Sequence, residues 1–245
     1  MLSNKEGQAI PNVTFHTQEN NQWKDVSTND LFSNKTVIVF SLPGAFTPTC
    51  SSSHLPRFNE LASTFAANGV DDIICISVND TFVMNAWKKD QNAENITIIP
   101  DGNAEFTQGM NMLVDKSDLG FGKRSWRYSM LVKNGIIEKM FIEDNVPGDP
   151  FEVSDADTML NYINPKAKKP DTISLFTKAN CPFCQQAKNM LDANGLTYEV
   201  IELNKEITEK SLVSITNATT VPQIYINGTQ IGGADDLKLY LSKAS

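Results

Sequence analysis

The chain has 245 residues, 40% of them apolar, which suits two modest domains with ordinary cores and excludes intrinsic disorder. Its 29 Asp and Glu outnumber its 21 Lys and Arg for a net charge of −8, which argues against a nucleic-acid partner or an anionic membrane. Residues 1–15 lack the apolar core of a signal peptide and no apolar run approaches a bilayer span, so the expected compartment is cytoplasmic, where four cysteines do not read as a disulfide framework.

In chain order, Thr36-Val-Ile-Val-Phe-Ser-Leu42 is a continuous β-branched apolar run and predicts a buried strand. Pro43-Gly-Ala-Phe-Thr47-Pro-Thr-Cys50 then turns into a helix. Cys50 thus falls where unpaired N–H groups and partial positive charge stabilise a thiolate. Leu55, Phe58, Leu61, Ala62 and Phe65 have helical spacing, which predicts a helix to about Asn68-Gly69, kinked at Pro56. Ile73–Val78 predicts a second strand, Asp80 caps a helix through Trp87, and Ile96–Ile99 predicts a third strand. Residues 126–132 and 136–142 flank Asn134-Gly135, a hairpin signal. Ser154-x-x-Asp157 predicts a capping box before a helix to about Ile163.

Asn164-Pro-Lys-Ala-Lys-Lys-Pro170 lacks any large apolar residue and predicts a linker. The domains are therefore expected at 1–165 and 171–245, joined by 166–170. The whole stretch from Asn164 to Pro170, about 6–7 residues of chain, reaches at most roughly 20–25 Å, so transfer between the domains of one chain or between subunits both stay open. The remaining segments read β-α-β-α-β-β-α, the order of a minimal thioredoxin-like domain.

Within this second domain, Cys181-Pro182-Phe183-Cys184 is by itself half a zinc site, a disulfide or a dithiol redox pair. Zinc wants about four ligands, and Cys50, Cys75, His16 and His54 all fall in the other domain. The preceding strand and following helix make Cys181 the more exposed thiol, with Lys178 adding positive charge and Cys184 one turn inward as the resolving thiol. Together with Thr220-Val221-Pro222 and Gly232-Gly233-Ala-Asp235-Asp236, this segment resembles the glutaredoxins across 171–245. The resemblance implies a cis Pro222 facing the dithiol. It also implies glutathione held by the Val221 backbone, by Lys178 at its glycyl carboxylate and by Asp235 at its γ-glutamyl end.

Cys50 has no partner cysteine nearby. Thr47 can share the first turn with it, while Pro43 and Pro48 stiffen and shield the loop. Attack of a thiolate on a peroxide needs a stabilised thiolate, a cradle for two oxygens and stabilisation of the leaving alkoxide; a guanidinium would complete the set. The pattern Pro43-x-x-x-Thr47-x-x-Cys50, with His54-Leu-Pro after it, resembles the peroxiredoxins of the type-V subfamily over about 1–165. Trp126-Arg-Tyr-Ser-Met-Leu131 is similar to the subfamily's later segment, which implies Arg127 as its active-site arginine. Cys75, inside an apolar strand, reads as structural. His54, one turn after Cys50, could tune the thiol but reads first as packed or solvated; Lys123 and Arg124 read as solvated neighbours or a minor electrostatic aid, and Phe121 and Trp126 as core or interface. No further cysteine follows Cys75 before Cys181, so a resolving thiol must come from outside the first domain.

The whole chain resembles hybrid peroxiredoxin–glutaredoxin proteins: an α/β architecture of two thioredoxin-like domains, one elaborated and one minimal. The resemblance implies a thiol peroxidase acting on hydrogen peroxide and alkyl hydroperoxides, with no bound cofactor. It implies glutathione as reducing co-substrate and association into a dimer or larger homo-oligomer. A disulfide or deglutathionylating enzyme with a docking first domain, and a peroxide sensor, are the competing readings.

Overall fold

A computed structural model describes residues 2–19 and 22–244 and divides into two compact units, residues 1–169 and 170–245. In the first unit, β1 (Thr14–Glu19) and β2 (Gln22–Ser27) form an antiparallel hairpin. Ser27 and Asp30 make a reciprocal capping box for α1 (Thr28–Phe32). Next come β3 (Thr36–Ser41), α2 (Leu55–Glu60), α3 (Ala62–Ala67), β4 (Asp72–Ser77), α4 (Thr81–Asp90) and β5 (Thr97–Pro100). The short α5 (Glu105–Gly109), β6 (Leu113–Asp115) and β7 (Lys123–Ser125) precede the hairpin of β8 (Tyr128–Lys133) and β9 (Ile136–Ile142), and α6 (Ala156–Ile163) closes the unit.

The central sheet has the order β5-β4-β3-β8-β9, parallel among its first three strands and antiparallel beyond. Alternation along β3 sends Ile38, Phe40 and Leu42 to the layer containing Cys50, α2 and α6. Val37 and Val39 face the opposite layer with Phe106 and Tyr128. Both faces are covered, which is why β3 and β4 read as unbroken apolar runs.

Two local expectations change. The expected kink at Pro56 is a π-helical turn, Cys50–His54, upstream of α2, in which the Leu55 N–H donates to the Cys50 carbonyl. Pro56 has no N–H to continue the α-helical ladder, and the irregularity falls just before it. The cap of α6 is Asp155, whose side chain accepts from the Thr158 N–H, rather than Ser154. Ser154 donates instead to the Glu143 carboxylate at 2.7 Å. The hairpin β1–β2 carries no apolar alternation strong enough to mark it; all of β2 before its last two residues is exposed. Within the expected linker, Ala167 packs on the first core and Lys169 reaches Asp157 at 2.6 Å.

In the second unit, β10 (Ile173–Thr177), α7 (Pro182–Ala193), β11 (Glu199–Glu202), α8 (Glu209–Thr216), β12 (Gln223–Ile226), β13 (Thr229–Gly232) and α9 (Ala234–Ala244) follow one another. The sheet order is β11-β10-β12-β13. Leu175, Leu191, Ile224 and Leu237 form the core under α7 and α9, while Phe176 and Leu212 pack on the other face. Among the described residues no helix is long and apolar enough to cross a membrane.

Arg57 on α2 reaches both oxygens of Asp157 on α6, at 2.7 and 2.9 Å. These bonds, with help from Lys169 and against partial burial, hold the Asp157 carboxyl at about 2, down from 3.8. Because the folded value lies below the unfolded one, the contribution is full at neutral pH and is lost as pH falls from about 4 through about 2. Asp157 is about a third exposed, so screening limits the link to about 1 kcal/mol. All three tryptophans, Trp23, Trp87 and Trp126, lie in the first unit, so urea unfolding followed by their fluorescence reads it. Asp157→Asn is expected to lower stability by about 1 kcal/mol at about pH 7 and by much less near pH 2.5. An equal loss at both would rule out an ionic origin.

Candidate functional site

The turn before Cys50 is pinned from several sides. Phe46 takes a left-handed conformation, φ 61°. Asn79 Oδ1 accepts from the Ala45 N–H at 3.1 Å and from Ser77 Oγ at 2.9 Å. Trp87 Nε1, from α4, donates to Ser51 Oγ at 3.0 Å. Thr47 Oγ1 donates to the Gly44 carbonyl at 2.8 Å, so its hydrogen is engaged and its lone pairs remain.

Cys50 itself is 0% exposed, and the fully buried Arg127 donates from Nη1 to its sulfur at 3.5 Å. A guanidinium N–H is a better partner for a thiolate than for a thiol. The same Nη1 lies 3.1 Å from His54 Nδ1, and Nη2 pairs with Asp149 Oδ1. The guanidinium sits over the Phe151 ring, 5.4 Å from its centroid. Arg127 Nε has no partner among the described residues.

His54 is enclosed by the rings of Phe40, Phe58 and Phe151 at centroid distances of 4.9, 5.6 and 4.9 Å. Burial first, and then the Arg127 charge, push it well below its usual 6.5, against a weaker opposing bond to Ser154. It is therefore the neutral imidazole at pH 7. Since Nη1 can only donate, Nδ1 accepts and Nε2 carries the proton toward the Ser154 carbonyl, 3.2 Å away. Cys75, on β4, is fully buried; burial and then the neighbouring Cys50 push its thiol well up.

In the second unit, Cys181 is the N-cap of α7, its sulfur accepting from the Cys184 N–H at 3.2 Å. Cys181 and Cys184 are joined as a disulfide. The Cys181 sulfur lies 3.8 Å from the Val221 carbonyl, and the Val221–Pro222 peptide is cis. Lys178, Lys188 and Glu202 line one open cleft with the two cysteines. Asp235 is exposed in the first turn of α9, and its neighbour Asp236 accepts from the Gly233 N–H at 2.8 Å. At Gly232 the φ of +116° strains any residue with a side chain, and a Cβ would also press on that carboxylate.

The fold thus brings Cys50 to Arg127, and Cys181 to Cys184, Val221 and Lys178. Thr47 stands in the Cys50 turn with its hydroxyl on Gly44, and Asp235 is exposed in the first turn of α9. Sequence reasoning underrated His54 and Arg124. Arg124 is partly exposed, yet backbone holds its guanidinium: Nη1 donates to the Val78 carbonyl at 2.7 Å and Nε to that of Phe121 at 2.9 Å. It missed Glu143, Asp149 and Phe151 entirely and read Ser154 only as a helix cap, since irregular chain between β9 and α6 carries no periodic signal.

Comparison with known proteins agrees with this division. The redoxin family model matches residues 5–160 and the glutaredoxin model residues 173–231. The hybrid peroxiredoxin hyPrx5 of Haemophilus influenzae is 63% identical over 98% of this chain and 100% of its own. A Synechocystis peroxiredoxin is 57% identical over 63% of this chain and 88% of its own. The crystal structure of reduced Prx3 of Vibrio vulnificus in complex with hydrogen peroxide matches with a TM-score of 0.62 at 40% identity, covering 66% of this chain and 99% of that one.

One charge-assisted hydrogen bond is worth about 1.5–3 kcal/mol. In a chain with Cys181 and Cys184 replaced by serine, Arg127→Met is expected to slow iodoacetamide alkylation of Cys50 at about pH 7 by about tenfold. Arg124→Met, which removes no bond to the sulfur, is expected to stay within about twofold of the parent. Equal effects from the two variants would make the guanidinium's contribution one of general charge.

Proposed function

This chain belongs to the peroxiredoxins, as a hybrid in which a redoxin domain and a glutaredoxin domain share one polypeptide, and we propose that this peroxidase draws its electrons from glutathione. The observation that carries the reading is Arg127 Nη1 at 3.5 Å from the Cys50 sulfur, in a unit whose other cysteine, Cys75, is sealed in a strand.

The Cys50 thiolate attacks one oxygen of a hydroperoxide. The sulfur–oxygen bond forms, the oxygen–oxygen bond breaks, and the leaving alkoxide or hydroxide takes a proton. Thr47 supports this step by offering lone pairs to the peroxide proton, and Arg127 by donating to the oxygens as charge develops. Arg127 also keeps Nε–H, buried and unused by the described residues.

The product sulfenic acid condenses with a glutathione thiol to give a Cys50–glutathione disulfide and water. Cys181 attacks the glutathionyl sulfur, freeing the Cys50 thiolate, and a second glutathione takes Cys181 back to the thiol with release of oxidised glutathione. The net reaction consumes one hydroperoxide and two glutathiones. In this scheme the Val221 backbone, the cis Pro222, Lys178 and Asp235 hold glutathione beside Cys181. Cys184 serves a side branch, displacing glutathione to form the internal disulfide. We also expect the chain to associate with copies of itself.

Three variants test the order of events in the full chain. Cys50→Ser is expected to abolish peroxide consumption. Cys181→Ser should complete a single reduction of peroxide and then stall with glutathione as the only reductant. Cys184→Ser should keep a substantial part of the turnover. A dead Cys184→Ser protein would replace the single-thiol route by one through the dithiol.

A further inference from the structure

We propose that Glu143 is the positioning residue of the Cys50 site. Its carboxylate clamps the strap of residues 149–154 against Arg127 and His54, and so keeps the guanidinium aimed at the sulfur. The proposal rests on the reading of Cys50 as the thiol that meets peroxide.

Glu143 directly follows β9 and is only 2% exposed. A buried carboxylate is costly unless its lone pairs are met. Among the described residues no cation meets it; backbone does. Oε1 accepts from the N–H groups of Glu152, Val153 and Ser154 at 3.0, 2.9 and 2.8 Å, and from Ser154 Oγ at 2.7 Å. Oε2 also faces the Glu152 N–H at 3.0 Å. Burial alone would raise this carboxyl; the bonds from Ser154, Val153 and Glu152 outweigh it and hold it below the usual range, so it is ionised at neutral pH.

The backbone of the same residue grips the segment that bears the guanidinium. The Glu143 N–H donates to the Arg127 carbonyl at 3.2 Å, and Trp126 Nε1 donates to the Glu143 carbonyl at 2.8 Å. Glu143 therefore joins two pieces of chain: residues 126–127 through its main chain and residues 152–154 through its side chain.

What the strap delivers explains why that matters. Asp149 pairs with Arg127 Nη2, and Phe151 lies under the guanidinium and against His54. The Ser154 carbonyl accepts the His54 Nε2 proton. That last bond leaves Nδ1 unprotonated to accept from Arg127 Nη1. No helix or strand lies between Ile142 and Ala156, so ladder bonding does not hold the strap in place. With the clamp weakened, His54 can move its proton to Nδ1, where it opposes a guanidinium N–H, and Arg127 loses its carboxylate and its ring together.

The test is Glu143→Gln in the full chain. The amide keeps the size and one acceptor oxygen, but it loses the charge and sets an NH2 against the Glu152 N–H that meets Oε2 in the native protein. Peroxide reduction by Cys50 is expected to slow at least about tenfold, the worth of one charge-assisted hydrogen bond. Reduction of a small disulfide by the glutaredoxin domain of the same protein should not change. Nitrogen NMR supplies a readout that loss of stability alone would not move. The chain has only two histidines, and exposed His16 serves as reference. Native His54 is expected as the neutral Nε2–H form at about pH 7, and the variant as a tautomer mixture. A native rate with a native His54 tautomer would overturn the proposal.

Should Glu143→Gln fail to fold by circular dichroism, Ser154→Ala decides. It removes only the hydroxyl donor and is expected to slow the peroxide step about threefold, a fraction of one hydrogen bond, with the same trend in His54. Native values for both readings there would also overturn the clamp. Cys50→Ser, assayed alongside, separates the two claims. Continued peroxide consumption by that variant would sink the reading of Cys50, while a dead Cys50→Ser beside a fully native Glu143→Gln would sink the role of Glu143.

Discussion

A guanidinium fully buried beside a fully buried thiol is the constraint around which the first unit is built. A cation withdrawn from water costs several kcal/mol unless its donors meet acceptors. Arg127 meets three of different kinds: a sulfur, a neutral imidazole and a carboxylate. The imidazole helps only while unprotonated. Burial, supplied in part by Phe40, Phe58 and Phe151, is the largest reason that His54 stays so. Apolar packing here does an electrostatic task, because a protonated His54 would set two cations side by side.

Strand register carries Arg127 to Cys50 across 77 residues of sequence. β3 runs antiparallel to β8 with Ser41 opposite Tyr128. The chain leaving β3 therefore enters the Pro43–Cys50 turn beside the residue that precedes β8. A slip of one residue would send Arg127 to the opposite face of the sheet. The hairpin turn at Asn134 and Gly135, both with positive φ, connects β8 to β9 and sets the pairs nearest it, Lys133 with Ile136 and Val132 with Ile137. A bulge between Leu131 and Val132 then shifts the register before the strands reach the Arg127 end.

That turn was legible in the sequence, as were the apolar strands and the Pro43-x-x-x-Thr47-x-x-Cys50 run, because each follows from local composition or spacing. The β1–β2 hairpin was not, since exposed polar strands carry no alternation. Ser154 read as a cap because a Ser three residues before an acid has that pattern; Asp155 took the role once Glu143 drew the Ser154 hydroxyl away. His54 shows the general limit. Whether a histidine is solvated, packed or wired to an arginine depends on long-range neighbours, and its partners Arg127 and Ser154 lie 73 and 100 residues away. In the second unit the elements are short and evenly spaced, so little of its fold was hidden.

The two sulfurs illustrate opposite solutions to one problem. Cys50 is stabilised by a side-chain cation inside a sealed turn that excludes bulk water. Cys181 caps a helix, accepts from a backbone N–H and is partly exposed. Thiol–disulfide exchange needs three sulfurs nearly in line, and hence open space around the one attacked. Cys75 is the other cysteine of the first unit, yet it cannot supply that exchange. Its thiol is held protonated by burial, and its strand pairs with β3 on one side and β5 on the other, so it cannot swing out without breaking both ladders. Under the proposed scheme a small diffusible thiol must therefore carry the oxidising equivalent from the sealed sulfur to the open one, and the fused second domain supplies a thiol built for that exchange.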